Sequence, residues 1–333
     1  MSKQAWILVG LMIATLVVFC VAPFIGLMHV PLSTLWGECD NPILVDVFWK
    51  IRLPRVVMAL LAGAGLATAG MAFQAMFRNP LATPFTLGVA SGASLGSAVA
   101  IHLGLSFCLW GVSTVTVAAF VGALLTIGLV YGLTRSRQGF STATMLLAGV
   151  ALSFSFSSLI LFLQYLSDFT QTYRMLRWVM GGLDRIVSFA DVLQVAPFVI
   201  GGSLIVIYLT HELNLITTGE QLAASRGVDV ERTKIALFFA ASLMVGAVVA
   251  VCGPIGFVGL MAPHICRLMI GPDHRYLAPA SWLFGGMFLV VCDAVARTVM
   301  APAELPVGII TSLLGGPFFL CLLLGASKRN HTG

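Results

Sequence analysis

Apolar runs of about 20 residues recur along the whole chain, divided by short clusters of charge, and a run of that length crosses the hydrocarbon core of a bilayer as a helix. Lipid offers the backbone no water, so such runs must fold as segments that satisfy their own hydrogen bonds. Only 9% of the 333 residues are charged and 59% are hydrophobic, with a mean hydropathy of +1.01. A soluble domain is about 25% charged. The 18 basic and 13 acidic residues are too few to cover a water-facing surface, so the expected fold class is an all-α polytopic membrane protein, with residues 1–333 forming a single transmembrane domain. The formal net charge of +5 does not make a nucleic-acid face, because the basic residues are scattered between the runs.

Ten spans are expected: Trp6 to Met28, Val56 to Phe77, Pro84 to Gly104, Trp110 to Thr134, Thr142 to Leu166, Ala190 to Thr210, Ile235 to Cys252, Phe257 to Ile270, Ala278 to Val299 and Val307 to Leu324. The first follows Lys3 as a signal peptide would, but it exceeds the usual apolar region of about 7 to 15 residues and has no clear cleavage site. It reads as a retained span. With the amino terminus inside, Lys3, Arg78, Arg135, Arg137, Arg226, Arg232, Lys234, Arg267, Arg275, Lys328 and Arg329 lie on the inner side, 11 basic residues against seven outside. Both termini are then cytoplasmic. The seven outer residues, Lys50, Arg52, Arg55, Arg174, Arg177, Arg185 and Arg297, run against the positive-inside tendency and need another reason to be there. Gly88, Gly92 and Gly96 recur every four positions, which puts them on one helix face where another backbone can approach. The eighth span, holding Pro263, His264 and Arg267, is short.

Covalent chemistry is hard to place on this chain. ATP hydrolysis needs a Gly-rich phosphate loop ending in Gly-Lys-Ser or Gly-Lys-Thr, whose amides and ammonium cradle the phosphates. Lys3, Lys50, Lys234 and Lys328 follow Ser, Trp, Thr and Ser, so any ATP dependence must come from a partner. Gly92-Ala93-Ser94-Leu95-Gly96 fits a hydrolase elbow, but that motif works on a strand-to-helix turn and here it lies within an apolar helix. His211-Glu212 is followed at the fifth position by Leu215, which breaks the two-histidine zinc pattern. Asp293 precedes Arg297 by one helical turn and reads as a structural pair rather than a proton relay. Five of the seven cysteines lie in or beside apolar runs, and Cys39 and Cys108, in likely loops, could pair only if both face an oxidising compartment.

Two polar stretches interrupt the spans. Residues 211–234 read as one or two short helices broken at Gly219 and Gly227, either a solvated connector or a docking element for a cytoplasmic motor. Residues 168–189 hold Arg174 and Arg177 on one helix face, with Trp178 available as an interfacial anchor and Gly181-Gly182 following, which fits either an amphipathic surface helix or gate, or ordinary interfacial anchoring.

Several motifs together resemble the permease family of ATP-binding-cassette importers for ferric siderophores, haem and cobalamin. They are Arg52-Leu53-Pro54-Arg55, Asn79-Pro80-Leu81-Ala82 with Pro84 and Leu87-Gly88, Trp178 to Gly182, Ala224 to Val228, Gly253 to Leu260 through Pro263-His264 and Arg267, Asp273-His274-Arg275, Asp293 to Arg297, and Glu304 to Gly308 with Gly315. They run in order over nearly the whole chain. The resemblance implies a type II importer permease with about ten helices in the bacterial inner membrane, paired with a second copy or paralogue, moving a metal chelate by alternating access. It implies two cytoplasmic ATPase subunits carrying ATP and magnesium, with no cofactor or metal bound by this chain, and a periplasmic binding protein that delivers the cargo. It assigns Arg52, Arg55 and Arg297 to docking of that binding protein, where arginine would meet carboxylate. Gly219, Glu220, Ala223, Ala224, Arg226, Gly227 and Val228 are assigned to ATPase coupling. The fifth and tenth spans would border the pathway, with Ser153, Ser157 and Gln164 as neutral lining. Arg174, Arg177, Trp178, Gly181 and Gly182 would form a periplasmic gate. The readings in competition are an ion-coupled secondary transporter and a membrane-embedded enzyme using Ser94.

Overall fold

The structure is a computed structural model that describes residues 3–26, 28, 30–35, 42–109, 111–135, 142–186 and 188–330. Its helices are α1 (Lys3–Val21), α2 (Pro42–Asp46), α3 (Leu53–Met76), α4 (Val89–His102), α5 (Thr114–Arg135), α6 (Thr142–Leu166) and α7 (Phe169–Val179). They continue with α8 (Phe189–Tyr208), α9 (Thr210–Thr218), α10 (Glu220–Ser225), α11 (Val230–Cys252), α12 (Val258–Ile270), α13 (His274–Thr298) and α14 (Val307–Asn330). A two-residue hairpin, β1 (Cys108–Leu109) against β2 (Val112–Ser113), joins α4 to α5. Cys39 and Arg137 lie outside the described residues, and Cys108 is exposed with a free thiol.

All ten expected spans correspond to helices. Seven are long and apolar enough to cross a membrane alone, and three are shorter: α4, α12 and the apolar part of α14. At 1.5 Å per residue, α4 and α12 reach only about 20 Å, short of the roughly 30 Å hydrocarbon core. Each is completed by a stretch of irregular backbone that turns into the bundle. Before α4, a 3₁₀ turn at Pro84–Leu87 is closed by a reciprocal cap between Thr83 and Thr86. Before α12, the residues from Gly253 to Phe257 come back from the end of α11, with Phe257 in the left-handed region at φ 67°. Such backbone survives at membrane depth only where protein encloses it or a cavity solvates it.

The bundle has two ends. At the first, α7 lies against the end of α4 through Gln171, which donates to the His102 carbonyl at 3.1 Å. At the second, α9 and α10 precede α11, and Gln4 of α1 donates to the Ile270 carbonyl at the close of α12.

The central helix is α3, whose side chains from Pro54 to Met76 are nearly all buried against α13, α11, α12 and α8. Glycine makes this packing possible by letting backbones meet. Gly63 faces the Gly285 carbonyl of α13, and Gly70 faces the Gly259 carbonyl of α12. The expected Gly88–Gly92–Gly96 stripe is realised only in part. Gly92 and Gly96 meet Gly122 and Ala118 of α5. Gly88 is instead the residue that enters α4, at φ 78°, a conformation that disfavours any side chain.

Replacing Gly70 by Ala would place a methyl group on the Gly259 carbonyl, so overpacking should cost about 1–3 kcal/mol. Gly128→Ala, where nothing lies within 4 Å, should be neutral. Thermal unfolding in detergent compares the two, and equal melting temperatures would remove the close-approach account.

Candidate translocation cavity and its two ends

Between α4, α6, α7 and the two irregular turns lies a cavity of about 620 Å³. Phe85 and Gly256, from the turns before α4 and α12, both line it. Its polar groups are Ser91 and Ser94 of α4 with Ser157 and Gln164 of α6, and among the described residues no charged side chain borders it. Two of the three expected lining residues, Ser157 and Gln164, are thus brought together. Ser153 is not among them: its hydroxyl donates to the Gly149 carbonyl at 2.8 Å and packs beside Gly88. Ser91 and Ser94 were missed, although the small-residue spacing of α4 held the signal. Ser94 donates to the Ala90 carbonyl at 2.9 Å and has no acid or histidine partner among the described residues, so the elbow motif shows no catalytic arrangement there.

The α7 segment closes the first end. Asp168 caps α7 by accepting from the Gln171 amide at 2.7 Å, and His102 Nδ1 lies 2.7 Å from the Ser167 hydroxyl. Trp178, expected as an interfacial anchor, is instead buried, because the helix turns that face inward and Arg185 covers the ring at 5.8 Å. Gly181 sits at φ 65° against the Pro254 carbonyl, where a side chain has no room. Its own carbonyl accepts from the Gly308 amide at 3.1 Å, while Gly182 donates to the Cys252 carbonyl at 2.8 Å. The Gly181-Gly182 pair therefore ties the segment to the end of α11 and the start of α14. Arg174 and Arg177 are exposed, as expected, and Arg177 pairs with Asp184 at 2.8 Å. The Asp184 charge raises the pKa of Arg177, whereas burial lowers that of Arg185 despite the same neighbour.

Arg52, Arg55 and Arg297, assigned to docking by the resemblance, lie near this end and face into the bundle. All three are buried. Arg55 bridges Asp293 at 2.9 Å and Glu304 at 2.6 Å. Arg297 Nε faces the second oxygen of Asp293 at 3.1 Å and also donates to the Ile25 carbonyl at 3.2 Å. Arg52 donates to the carbonyls of Pro23 at 3.1 Å and Met28 at 2.6 Å. The cause is dielectric: a guanidinium this close to the apolar interior needs acceptors, and the carbonyls after α1 and the two carboxylates supply them. Glu304, with 41% of its side chain exposed, is the one member of this cluster that reaches solvent.

The 211–234 stretch forms the second end. It is two short helices, α9 and α10, separated by Gly219 at φ 141° and ended by Gly227 at φ 86°, as the breaks in the sequence indicated. Ala224, Arg226 and Gly227 are exposed, Gly219, Glu220 and Val228 are partly exposed, and Ala223 is buried. Lys234 of α11 reaches back to Glu220 at 2.7 Å. Asn214 of α9 donates to Asp273 at 2.7 Å and accepts from the His274 amide at 2.9 Å, clamping α9 to the turn before α13. Burial disfavours the charged form of Asp273, but the bonds from the Arg275 amide and Asn214 outweigh it and hold its pKa below the usual carboxylate value. Among the described residues, no cluster of three or more His, Cys, Asp or Glu side chains could hold a metal ion.

Residues 13–325 match the FecCD transport family. The chain is 36% identical to the hemin transport system permease protein HmuU of Yersinia pestis over 323 residues, 96% of each chain. It is 44% identical to the cobalamin import system permease protein BtuC of Halobacterium salinarum over 279 residues, covering 84% of this chain and 73% of that one. A solved structure of an inward-facing metal-chelate type ABC transporter superimposes with a TM-score of 0.85 at 31% identity, covering 96% of this chain and 99% of that chain. A multi-span bundle with a neutral cavity and matches of this extent leave one assignment: the chain belongs to the FecCD transport family, and it is the permease subunit of an ATP-binding-cassette importer rather than an enzyme.

Proposed function

We propose that this chain forms the pathway by which a metal chelate, a ferric siderophore or alternatively haem or cobalamin, passes from periplasm to cytoplasm by alternating access. The observation that carries this reading is the cavity of about 620 Å³, lined by serines and a glutamine without fixed charge, between the tied α7 segment and the exposed α10. A chelate arrives with its metal already coordinated, so a neutral lining lets it pass without a strong binding site. The relatives that transport hemin and cobalamin support the same cargo class. In this reading the α7 end faces the periplasm and the α10 end the cytoplasm, which places both chain termini inside and the protein in the bacterial inner membrane. A second copy or paralogue completes the channel. Two cytoplasmic ATPases hold ATP and magnesium, and a periplasmic binding protein delivers the cargo. Each partner biases one state of the permease through differential contacts. The α7 segment, with Arg174, Arg177, Trp178, Gly181 and Gly182, serves as the gate. An ion-coupled mechanism finds less support, since the buried Asp293 is held by two arginines.

The function is tested by reconstitution. Vesicles holding the permease, its ATPase and its binding protein should accumulate ferric siderophore only when ATP is present, and uphill uptake by the permease alone under an ion gradient would overturn the reading.

Coupling is tested by cysteine scanning from 217 to 230. Ala224→Cys and Arg226→Cys should cross-link to the ATPase in a nucleotide-dependent manner, whereas Ala223→Cys, buried against the bundle, should not. A scan with no cross-link at any position would remove α10 from the ATPase interface.

Docking through Arg52, Arg55 and Arg297 requires an incoming carboxylate to take the place of Glu304 on Arg55. Glu304→Gln should then tighten the binding protein about threefold to tenfold at low salt, by titration calorimetry. Unchanged or weaker affinity would put docking elsewhere on this face.

A further inference from the structure

Of the seven basic residues that oppose the charge bias, four have an internal explanation. Lys50 pairs with Asp46 at 2.8 Å, and Arg52, Arg55 and Arg297 belong to the buried cluster around Asp293. Of the other three, Arg177 pairs with Asp184 at 2.8 Å, and Arg174 and Arg185 have no ion pair among the described residues. These three line one cleft of about 370 Å³ at the α7 end, beside Tyr173 and Val251. Three guanidiniums line it with no carboxylate among the lining residues, and Arg177 alone is paired, with Asp184. Arg185 donates through Nη2 to the Arg177 carbonyl at 2.8 Å, while its Nη1 is buried with no acceptor. Arg185 is thus incompletely paired where it borders the cleft.

A second feature adjoins the first. An apolar groove of about 240 Å³ runs between α5, α8 and α11, lined by Val117, Phe120, Phe198 and Ala247, with Gln194 as a polar group. Val251 lines both the groove and the arginine cleft, so the two adjoin. The lips of the groove include Val121 of α5, which is 46% exposed. A free anion would use only the cleft, and a plain hydrocarbon would use only the groove. A molecule with an anionic head joined to an acyl chain uses both.

We propose that this composite site holds an anionic phospholipid, with its phosphate on Arg174, Arg177 and Arg185 and an acyl chain in the groove between α5, α8 and α11. Arginine forms paired, charge-assisted bonds to phosphate, and basic pockets between transmembrane helices are suited to lipid head groups. Such a lipid bridges the α7 segment to α5, α8 and α11. It also gives the three outer arginines a reason to stand where topology disfavours them.

The permease purified with its ATPase is titrated with phosphatidylglycerol or phosphatidylcholine and followed by native mass spectrometry, with melting temperature as the check on folding. Phosphatidylglycerol should be retained about fivefold or more over phosphatidylcholine, since each arginine near an anionic head contributes about 1 kcal/mol. Arg185→Gln should lower that retention about fivefold. Val117→Trp, which fills the groove and keeps all three arginines, should lower it as well. If Arg185→Gln melts early, the exposed Arg174→Gln replaces it. Equal retention of the two lipids, or retention unchanged by both the arginine and the groove substitutions, overturns the proposal. Displacement of the lipid by inorganic phosphate alone also overturns it, because the cleft would then be a free-anion site.

Discussion

The structure depends on the absence of water inside the bundle. In that medium a lone charge or an unpaired backbone group is expensive, and every departure from plain helix must be enclosed or solvated by a cavity. The cluster at the α7 end shows the rule at its strictest. Asp293 is fully buried and lies within reach of Arg55 and Arg297, while Arg52 and Arg297 close the carbonyls that follow α1. Removing one partner from a buried pair costs about 3–5 kcal/mol, so these residues fix how α1, α3 and α13 meet before they do anything else.

The same rule shapes the cavity. Neither α4 nor α12 is long enough to cross alone, so each begins with irregular backbone at depth. Phe85 and Gly256, from those two stretches, face the same space. The cavity is thus where the bundle accommodates backbone that lipid could not. Glycine contacts between α4 and α5, and between α3 and α12, hold the flanking helices close together.

Much of this was legible in the sequence. Apolar runs located all ten spans, and the short eighth span was visible from its length. Gly219 and Gly227 marked the breaks around α10 because left-handed backbone there admits little else. What could not be read was the direction of side chains at span ends. Arg52, Arg55 and Trp178 lie at boundaries where one turn of helix decides between solvent and core, and composition does not set that rotation. Gly88 was misplaced for a related reason: a four-residue spacing does not reveal that the helix starts one residue later. Ser91 and Ser94 were legible as packing residues, but their cavity is formed with α6 and α7, which are distant in sequence.

The two ends of the bundle are joined by a short mechanical route. Helix α11 begins beside α10, where Lys234 holds Glu220, and ends at Cys252, whose carbonyl accepts from Gly182 of the α7 segment. Its 23 residues span about 35 Å without an internal proline, and most of its side chains are buried. A rigid helix of this kind does not absorb a displacement along its length. In the proposed function, a push on α10 would travel along α11 to the Gly181-Gly182 pair, whose backbone is hydrogen-bonded to α11 and α14. In the same reading the change in shape falls at these bonds beside the cavity, because the core around α3 is closely packed.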